Sequence, residues 1–198
     1  MLHLPVTGRP SKSTSAILDK LRRESSRLSQ IQDIAGCRII VDDIPKQNRA
    51  VDALNAFLTS PRIVDRRANP THGYRAVHLV ANMSGRFVEV QVRTLPQHLW
   101  AEISEKMADT IDSRIKYGEG DGEALKFLRS LSEGIRGLED EEDSRDRTLW
   151  KLAGFTREQR KRYRRNLKIL EENYRSRRTA VLRVLRSVHT DMNRSPNK

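Results

Sequence analysis

The sequence predicts an α/β (α+β) protein with a helical, basic C-terminal extension. Two observations support this fold class. Short segments in which apolar and polar residues alternate, as in strands, lie between segments with an apolar residue at every third or fourth position, as in helices. The last quarter of the 198 residues carries only the helical pattern. Strands embedded among helices indicate a core that contains both, followed by helices alone.

The first third of the chain alternates between the two patterns. Ser15 is placed to cap a first helix, and Gly and Pro residues punctuate the loop at residues 66–75. The segments predicted there are a helix at 15–28, a strand within 33–43, a helix at 50–58 and a strand that starts in "PRIVD" at residue 61.

Two further strands follow, at residues 76–82 and 85–94. The link between them is a short turn through Ser84 and Gly85. Consecutive strands joined by so short a link form an antiparallel hairpin.

Helices occupy the rest of the chain. Thr94 with Gln97, and Thr156 with Gln159, have the spacing of capping boxes that open helices. The pattern predicts a helix through Ile111, a loop at 116–123, a helix at 123–138, an exposed corner at the acidic run 139–143, and one long or broken amphipathic helix from residue 156.

Charge is distributed unevenly along the chain. Residues 1–146 contain 22 basic and 22 acidic residues, whereas residues 147–198 contain 16 basic and 4 acidic residues, so the whole net charge of +12 lies in the C-terminal segment. Such asymmetry is typical of a protein that binds a polyanion such as RNA or an acidic protein. The nucleic-acid candidates are Arg160, Lys161, Arg164 and Arg165. A solvated amphipathic helix carries the same charges without a ligand, and both interpretations stay open.

Several classes of protein are disfavoured by what the sequence lacks. One cysteine, Cys37, cannot form an internal disulfide and fits a buried thiol in a reducing, cytoplasmic setting. No apolar stretch approaches the length of a membrane span, which predicts no membrane association. The histidines lack zinc-site spacing, and there is neither a Walker loop nor a GxGxxG motif.

The strand at residues 85–94, "GRFVEVQVRT", carries Glu89, Gln91 and Arg93 on one face. Mg²⁺ is commonly bound through one or two carboxylates plus substrate phosphates, and Glu89 with Asp33 could supply such a pair. The alternative is that Asp33 caps a turn while Glu89 forms a cross-strand ion pair. Spacing alone favours the alternative.

Basic and aromatic residues near this strand favour phosphoryl chemistry. Phosphoryl transfer needs cations on the charged oxygens, and Arg9, Lys12, Arg38 and Arg75 lie in the neighbouring segments. Tyr74 follows Gly73 in a loop, where it could stack on a base or close the edge of the core. His78 could donate to a phosphate or be satisfied within the sheet.

Four segments together resemble the synthetase domain of the RelA/SpoT family of nucleotide pyrophosphokinases. They are "TGRPSKSTSAILDKL", "IQDIAGCRIIVDD", "HGYRAVHLV" and "VEVQVRTLPQHLWAEISEKM", which occur in family order over about residues 6–110. The variants "DIAGCR", "GYRAVH" and "QHLWAEISEK" are most similar to small alarmone synthetases, especially the toxic ones. The resemblance implies a mixed, mainly antiparallel sheet of about five strands flanked by helices. It also implies a pyrophosphokinase domain at residues 1–146, with 147–198 as an extension.

The resemblance also implies roles for the matching residues. Asp33 and Glu89 would hold Mg²⁺, and Glu89 would help to activate the attacking 3′-hydroxyl. The residues implied to bind ATP are Arg9, Lys12 and Arg38; those implied to bind the acceptor are Tyr74, Arg75, His78, Gln91 and Arg93. The implied reaction is transfer of pyrophosphate from ATP to a ribose 3′-hydroxyl.

Three functions compete at this point. The acceptor is GDP or GTP, as in alarmone synthesis, or the 3′-terminal adenosine of tRNA, as in translation-blocking toxins that are paired with an antitoxin protein. The basic C-terminal segment favours tRNA, as does Thr71 at a position where many alarmone synthetases have lysine. The third function is an inactive RNA- or antitoxin-binding module, because the chain starts almost at the first motif.

Overall fold

A computed structural model describes residues 6–9, 17–18, 21 and 35–194. The chain forms two compact units, which are described separately. The sheet unit contains residues 1–42, 46–69 and 75–94, and the helical unit contains residues 43–45, 70–74 and 95–198. The domain boundary predicted after residue 146 does not correspond to the boundary between these two units, and it stays a prediction.

The sheet unit is built on five strands in the order β1-β2-β5-β4-β3. The pair β2–β5 is parallel, and the other three pairs are antiparallel. This confirms the predicted mixed, mainly antiparallel sheet. The strands are β1 (Val6–Arg9), β2 (Ala35–Val41), β3 (Arg62–Asp65), β4 (Val77–Met83) and β5 (Arg86–Thr94).

Helix α1 (Ile44–Phe57) runs between β2 and β3. The sequence predicted its start at residue 50, six residues too late. Pro45 lies in the first turn, where proline is tolerated because the first N–H groups have no partner within the helix. From Lys46 onward the helix belongs to the sheet unit, where Val51 and Leu54 pack on the core. The fully buried Gln47 donates from Nε2 to the carbonyl of Val92 at 2.7 Å.

The core of the sheet unit is formed by one face of its central strands together with helix α1. Its buried members are Ile39, Val41, Ala50, Val77, Leu79, Val90 and Val92. Cys37 packs against this cluster and is only partly buried, and burial raises the pKa of its thiol. The thiol is therefore less acidic than a free cysteine.

The helical unit contains α2 (Leu95–Thr110), a 3₁₀ helix (Ser113–Tyr117), α3 (Gly122–Ala153) and α4 (Arg157–Arg194). These helices enclose a second core, whose largest members are Leu99, Trp100, Ile103, Met107, Ile115, Leu128, Ile135, Leu182 and Leu185. The indole of Trp100 donates to the carbonyl of Leu128 at 2.7 Å. Among the described helices, none is long and apolar enough to cross a membrane.

The acidic run at residues 139–143 is not an exposed corner, and that prediction is wrong. Helix α3 continues through it to Ala153, and Glu139 and Glu142 are buried. Glu139 accepts a hydrogen bond from the side chain of Gln97 at 2.7 Å. Glu142 accepts from the Ile44 backbone N–H at 2.9 Å and from the Tyr174 hydroxyl at 3.1 Å. The hydrogen-bond partners that allow these two carboxylates to be buried are distant in sequence, so the local sequence did not indicate their burial.

Helix α4 is one unbroken helix of 38 residues. Its predicted capping box is confirmed, because the Thr156 N–H donates to the Gln159 side chain at 2.9 Å and the Gln159 N–H donates to the Thr156 hydroxyl at 3.3 Å. Tyr174, Leu182 and Leu185 lie on its buried side.

Candidate active site

The alternation predicted for β5 is confirmed. Val90 and Val92 are buried in the core of the sheet unit. Glu89, Gln91 and Arg93 lie on the opposite face, because successive strand residues point to opposite sides. These polar residues are not ordinary solvent-exposed surface residues, since only 15% of the Glu89 side chain and 4% of Arg93 are exposed.

A chain of hydrogen bonds connects this polar face. The Nη2 atom of Arg93 donates to Oε1 of Gln91 at 2.8 Å, and Nε2 of Gln91 donates to Oε2 of Glu89 at 2.7 Å. Oε1 of Glu89 lies 2.6 Å from Nδ1 of His78. An ionised carboxylate can only accept, so the proton of this contact is on Nδ1. The carboxylate is therefore fixed through both oxygens.

The strand register determines which residues surround Glu89. Arg38 on β2 and His78 on β4 are both opposite Gln91, so the three positions form one row across the sheet. In the next row Gly36 is opposite Glu89, and Arg9 on β1 is opposite Gly36. Residues that are directly opposite share a face, which places Arg38 and His78 on the same face as Gln91 and Glu89.

Gly36 is required by the close approach of β2 and β5. A Cβ atom at this position would lie 2.4 Å from the backbone carbonyl oxygen of Glu89, far inside van der Waals contact. The glycine also leaves no side chain between the register positions of Glu89 and Arg9. Gly36 is not among the site residues predicted from the sequence, because its close contact arises only when β2 pairs with β5.

Tyr74 belongs to the helical unit. Two residues with positive φ precede it, His72 at 54° and Gly73 at 93°. The Tyr74 N–H closes the turn by donating to Thr71 at 2.9 Å, and the Ser132 hydroxyl donates to the Gly73 carbonyl at 2.7 Å. A Cβ on Gly73 would lie 3.0 Å from the Trp100 ring, so a side chain at residue 73 would be crowded as well as strained by the positive φ.

The Tyr74 ring fits both interpretations made from the sequence. It packs against the helical core, with its centroid 6.3 Å from that of Trp100 and the rings tilted by 51°. It also lines a cavity of about 240 Å³. Other residues that line this cavity are Thr71, His72, Trp100, Ser104, Glu105 and Lys116.

Arg75 is buried in the sheet unit, with 5% of its surface exposed. Burial alone would raise the pKa of Asp65, but hydrogen bonds from Arg67 and the charges of Arg67 and Arg75 outweigh it, so the pKa is lowered. Arg67 also donates to Asn48 at 2.6 Å. Arg67 is therefore committed to this turn rather than free to meet a phosphate.

Glu89 is chemically suited to a hard divalent cation. Carboxylate oxygens are ligands that such a cation prefers, and the two oxygens of Glu89 are held in place by His78 and Gln91. The described residues contain no cluster of three or more His, Cys, Asp or Glu that could hold a metal. Mg²⁺ is commonly bound through only one or two carboxylates when substrate phosphates complete its shell. Asp33 and Lys12 lie outside the described residues, and Arg9 is described only by its backbone.

The four nucleic-acid candidates lie in the first turns of α4 and are all exposed. Arg160 differs from the others because it donates to the carbonyls of Phe155 at 2.9 Å and Ala153 at 3.0 Å. It thereby satisfies backbone groups where α3 ends.

Fold and site define an α+β protein with a fixed carboxylate on the polar face of a mixed sheet. The family model described as the region found in RelA/SpoT proteins matches residues 8–117. The chain therefore belongs to the RelA/SpoT family, and the resemblance read from the sequence is confirmed.

Several relatives are known by name or structure. The chain is 36% identical over 155 residues to GTP pyrophosphokinase YjbM of Bacillus subtilis, covering 69% of this chain and 68% of that protein. It is similar to the crystal structure of small alarmone synthetase 1 from Bacillus subtilis bound to its product pppGpp, with a TM-score of 0.55, 30% identity, and coverage of 71% and 76% of the two chains.

The similarity to longer relatives is partial. An uncharacterized protein of Mycobacterium tuberculosis is 42% identical over 120 residues, which are 59% of this chain and 44% of that protein. The chain thus spans less than half the length of this relative.

Proposed function

We propose that the chain is a Mg²⁺-dependent transferase that moves pyrophosphate from ATP to the ribose 3′-hydroxyl of GDP or GTP. The observation that carries the proposal is the Glu89 carboxylate, held through both oxygens by His78 and Gln91 inside the region that matches the family. The names of two relatives, a GTP pyrophosphokinase and a synthetase bound to pppGpp, support a guanine nucleotide as acceptor.

In the proposed reaction, the 3′-oxygen of the acceptor forms a bond to the β-phosphorus of ATP. The bond between this phosphorus and the oxygen that links it to the α-phosphate breaks, and AMP leaves. Glu89 takes the proton of the 3′-hydroxyl as general base. His78 and Gln91 orient the carboxylate, which removes the need to order it during the reaction.

Mg²⁺ would be held by Glu89 and, as the resemblance implies, by Asp33. When bound, it would neutralise charge on the transferred phosphate oxygens. The remaining roles follow the family pattern: Arg9, Lys12 and Arg38 toward ATP, and Tyr74, Arg75, His78, Gln91 and Arg93 toward the acceptor.

The second candidate acceptor is the 3′-terminal adenosine of tRNA. The observation that favours it is the run of exposed basic residues in the first turns of α4, which suits a polyanion larger than a nucleotide. Such an enzyme would block translation and would need an antitoxin. The third candidate, an inactive binding module, is disfavoured because the hydrogen bonds around Glu89 fix a group that mere binding does not require.

The test is a transfer assay with the full chain, [γ-³²P]ATP and Mg²⁺, offered GDP, GTP and deacylated tRNA in separate reactions. Label in a guanine nucleotide supports the main proposal, and label in tRNA supports the second. A parallel reaction with [α-³²P]ATP is the control, because pyrophosphate transfer leaves that label in AMP.

Label in none of the acceptors, from protein with the circular dichroism of a folded chain, would contradict both enzymatic candidates. Label transferred from [α-³²P]ATP would contradict the proposed bond cleavage. The two failures are distinguishable, because only the second shows an active enzyme.

A further inference from the structure

Helices α3 and α4 form an antiparallel hairpin within the helical unit. Glu141 pairs with Arg177 at 3.2 Å, and Arg145 pairs with Glu171 at 2.7 Å. The partner number on α4 falls as the number on α3 rises, so the two helices run in opposite directions. Residues 154–156 join them. Residues 149–165, the last turn of α3, this link and the first turns of α4, are called the hairpin tip.

The hairpin tip is strongly basic. From residue 149 to residue 165 the chain has seven basic residues and one acidic residue. Arg157, Lys161, Arg164 and Arg165 follow the spacing i, i+4, i+7 and i+8, which brings them onto one face of α4. At a rise of 1.5 Å per residue, this basic stripe is about 12 Å long.

The basic stripe has no internal counter-charge. Its four members are exposed, and none makes an ion pair within the described part of the chain. Further along the hairpin the basic residues are paired, since Arg145 and Arg175 both contact Glu171. Concentrating like charges on one face disfavours the folded state through repulsion, so their clustering calls for an external anion.

Aromatic rings lie at the same tip. Trp150 is 81% exposed, and Tyr163 is 44% exposed while its ring stands 5.6 Å from that of Phe155. An indole so exposed contributes little to the core. Flat rings beside a basic groove are the two components of surfaces that bind single-stranded nucleic acids, because bases stack on the rings and phosphates meet the cations.

We infer that the hairpin tip binds single-stranded RNA, with phosphates on the basic stripe and an unpaired base stacked on Trp150. An acidic protein would satisfy the charges but gives no reason for an exposed tryptophan at the same end of the hairpin. The inference does not depend on the proposed transfer reaction, because binding at the tip requires neither ATP nor Glu89.

The test measures binding of the full chain to a fluorescein-labelled 20-nucleotide RNA of mixed, unstructured sequence, by fluorescence anisotropy over a series of salt concentrations. The stripe variant Lys161→Ala/Arg164→Ala should weaken binding and reduce the slope of log K against log salt by about 1.4, since each contact to a single strand contributes roughly 0.7. Trp150→Ala should weaken binding roughly tenfold and leave the slope unchanged, because stacking releases no counterions.

The matched control is Arg183→Ala/Arg186→Ala, which removes the same charge from exposed positions elsewhere on α4. This control should lower affinity far less than the stripe variant. All the altered side chains are exposed, so thermal unfolding should confirm that each variant is folded.

The inference is overturned if the two double variants lose affinity equally, because net charge alone would then explain binding. It is also overturned if a poly-glutamate peptide competes as well as unlabelled RNA, which would indicate an acidic protein partner. Light scattering provides the last check: if Trp150→Ala dissociates an oligomer without changing RNA affinity, a second copy of the chain covers the tip instead.

Discussion

The face of β5 and the first turns of α4 both present a row of polar side chains, but the two rows are built in opposite ways. On β5, Glu89 and Arg93 are largely buried and linked through Gln91 by hydrogen bonds. On α4, Lys161 and Arg164 are exposed and make no ion pair within the described part of the chain.

The difference shows how arrangement matches chemistry. A group that exchanges a proton must be held within a fraction of an ångström, which requires neighbours on every side. A group that contacts a phosphate in solvent acts through its charge, and its long side chain can adjust to the ligand. The hydrogen-bonded side chains along β5, Glu89, Gln91 and Arg93, are called the fixed row, and their arrangement suits a reaction. The exposed side chains on α4 suit binding.

The largest expected effect comes from removing the charge of the fixed row. Glu89→Gln keeps the shape of the side chain but loses the proton acceptor, so we expect transfer activity to fall about a thousandfold, within the range for general base catalysis. The assay is the label transfer described above, with circular dichroism to confirm the fold.

The control is Glu133→Gln, the same change at an exposed position on α3, which should leave activity unaltered. If Glu89→Gln retained most of its activity, the fixed row would be structural and the contrast with α4 would lose its chemical meaning.

Glu142, on α3, is a buried and hydrogen-bonded carboxylate that has no proposed part in the reaction. Burial raises the pKa of Glu142 to about 7, against the lowering effect of hydrogen bonds from Ile44 and Tyr174; Asp43 adds to the rise, and Arg178 opposes it. Burial and the Glu142 charge likewise raise the pKa of Tyr174. Between pH 4.5 and about 7 the folded protein keeps the Glu142 proton while the unfolded chain releases it.

The contribution of Glu142 to the free energy of unfolding should therefore be greatest below pH 4.5. It should decrease by on the order of 3 kcal/mol as the pH rises to about 7. Glu142→Gln should remove this fall, as measured by urea unfolding at pH 5, 6, 7 and 8. Asp140→Asn, at an exposed position on the same helix, is the control. An unchanged pH dependence in Glu142→Gln would show that the carboxyl stays ionised in the folded protein.

The smallest expected effect comes from a variant that tests whether the position of Glu89 depends on the close spacing of β2 and β5. Gly36→Ala places a methyl group 2.4 Å from the Glu89 carbonyl, and the backbone must move to admit it. We expect the free energy of unfolding to drop by about 2 kcal/mol, the typical cost of overpacking, and kcat to fall with it.

Gly8→Ala on β1 is the matched control, because its added Cβ meets no atom within 4 Å. Its free energy of unfolding should change by less than about 1 kcal/mol. If both variants were equally stable and active, the close approach at Gly36 would have no part in positioning Glu89.

Much of the fold could be predicted from local patterns. The alternation in β4 and β5 and the Thr156 capping box were readable because each signal lies within a few residues. The acidic run at 139–143 was misjudged because its burial depends on Tyr174 and Ile44, which are distant in sequence. A charged residue can be buried when residues distant in sequence supply its hydrogen bonds, so charge alone does not predict exposure.

For the candidate site, the sequence allowed residues to be proposed but did not reveal their contacts. The residues on β5 followed from alternation and family resemblance, and the contact between Glu89 and His78 then required the register of β4 against β5. Likewise, nothing local to Arg160 shows that it closes the end of α3, whereas its neighbours in the stripe remain exposed.

The single parallel pair in the sheet has a consequence for how fast the chain folds. Glu89 meets Gly36 across β2 and β5, although the two residues are 53 positions apart in sequence. A hairpin such as β4–β5 can close early, but the parallel pair must wait until the intervening helix and strands bring its ends together. We therefore expect a long-range closure to complete the centre of the sheet, so that the surroundings of the carboxylate form after the β4–β5 hairpin.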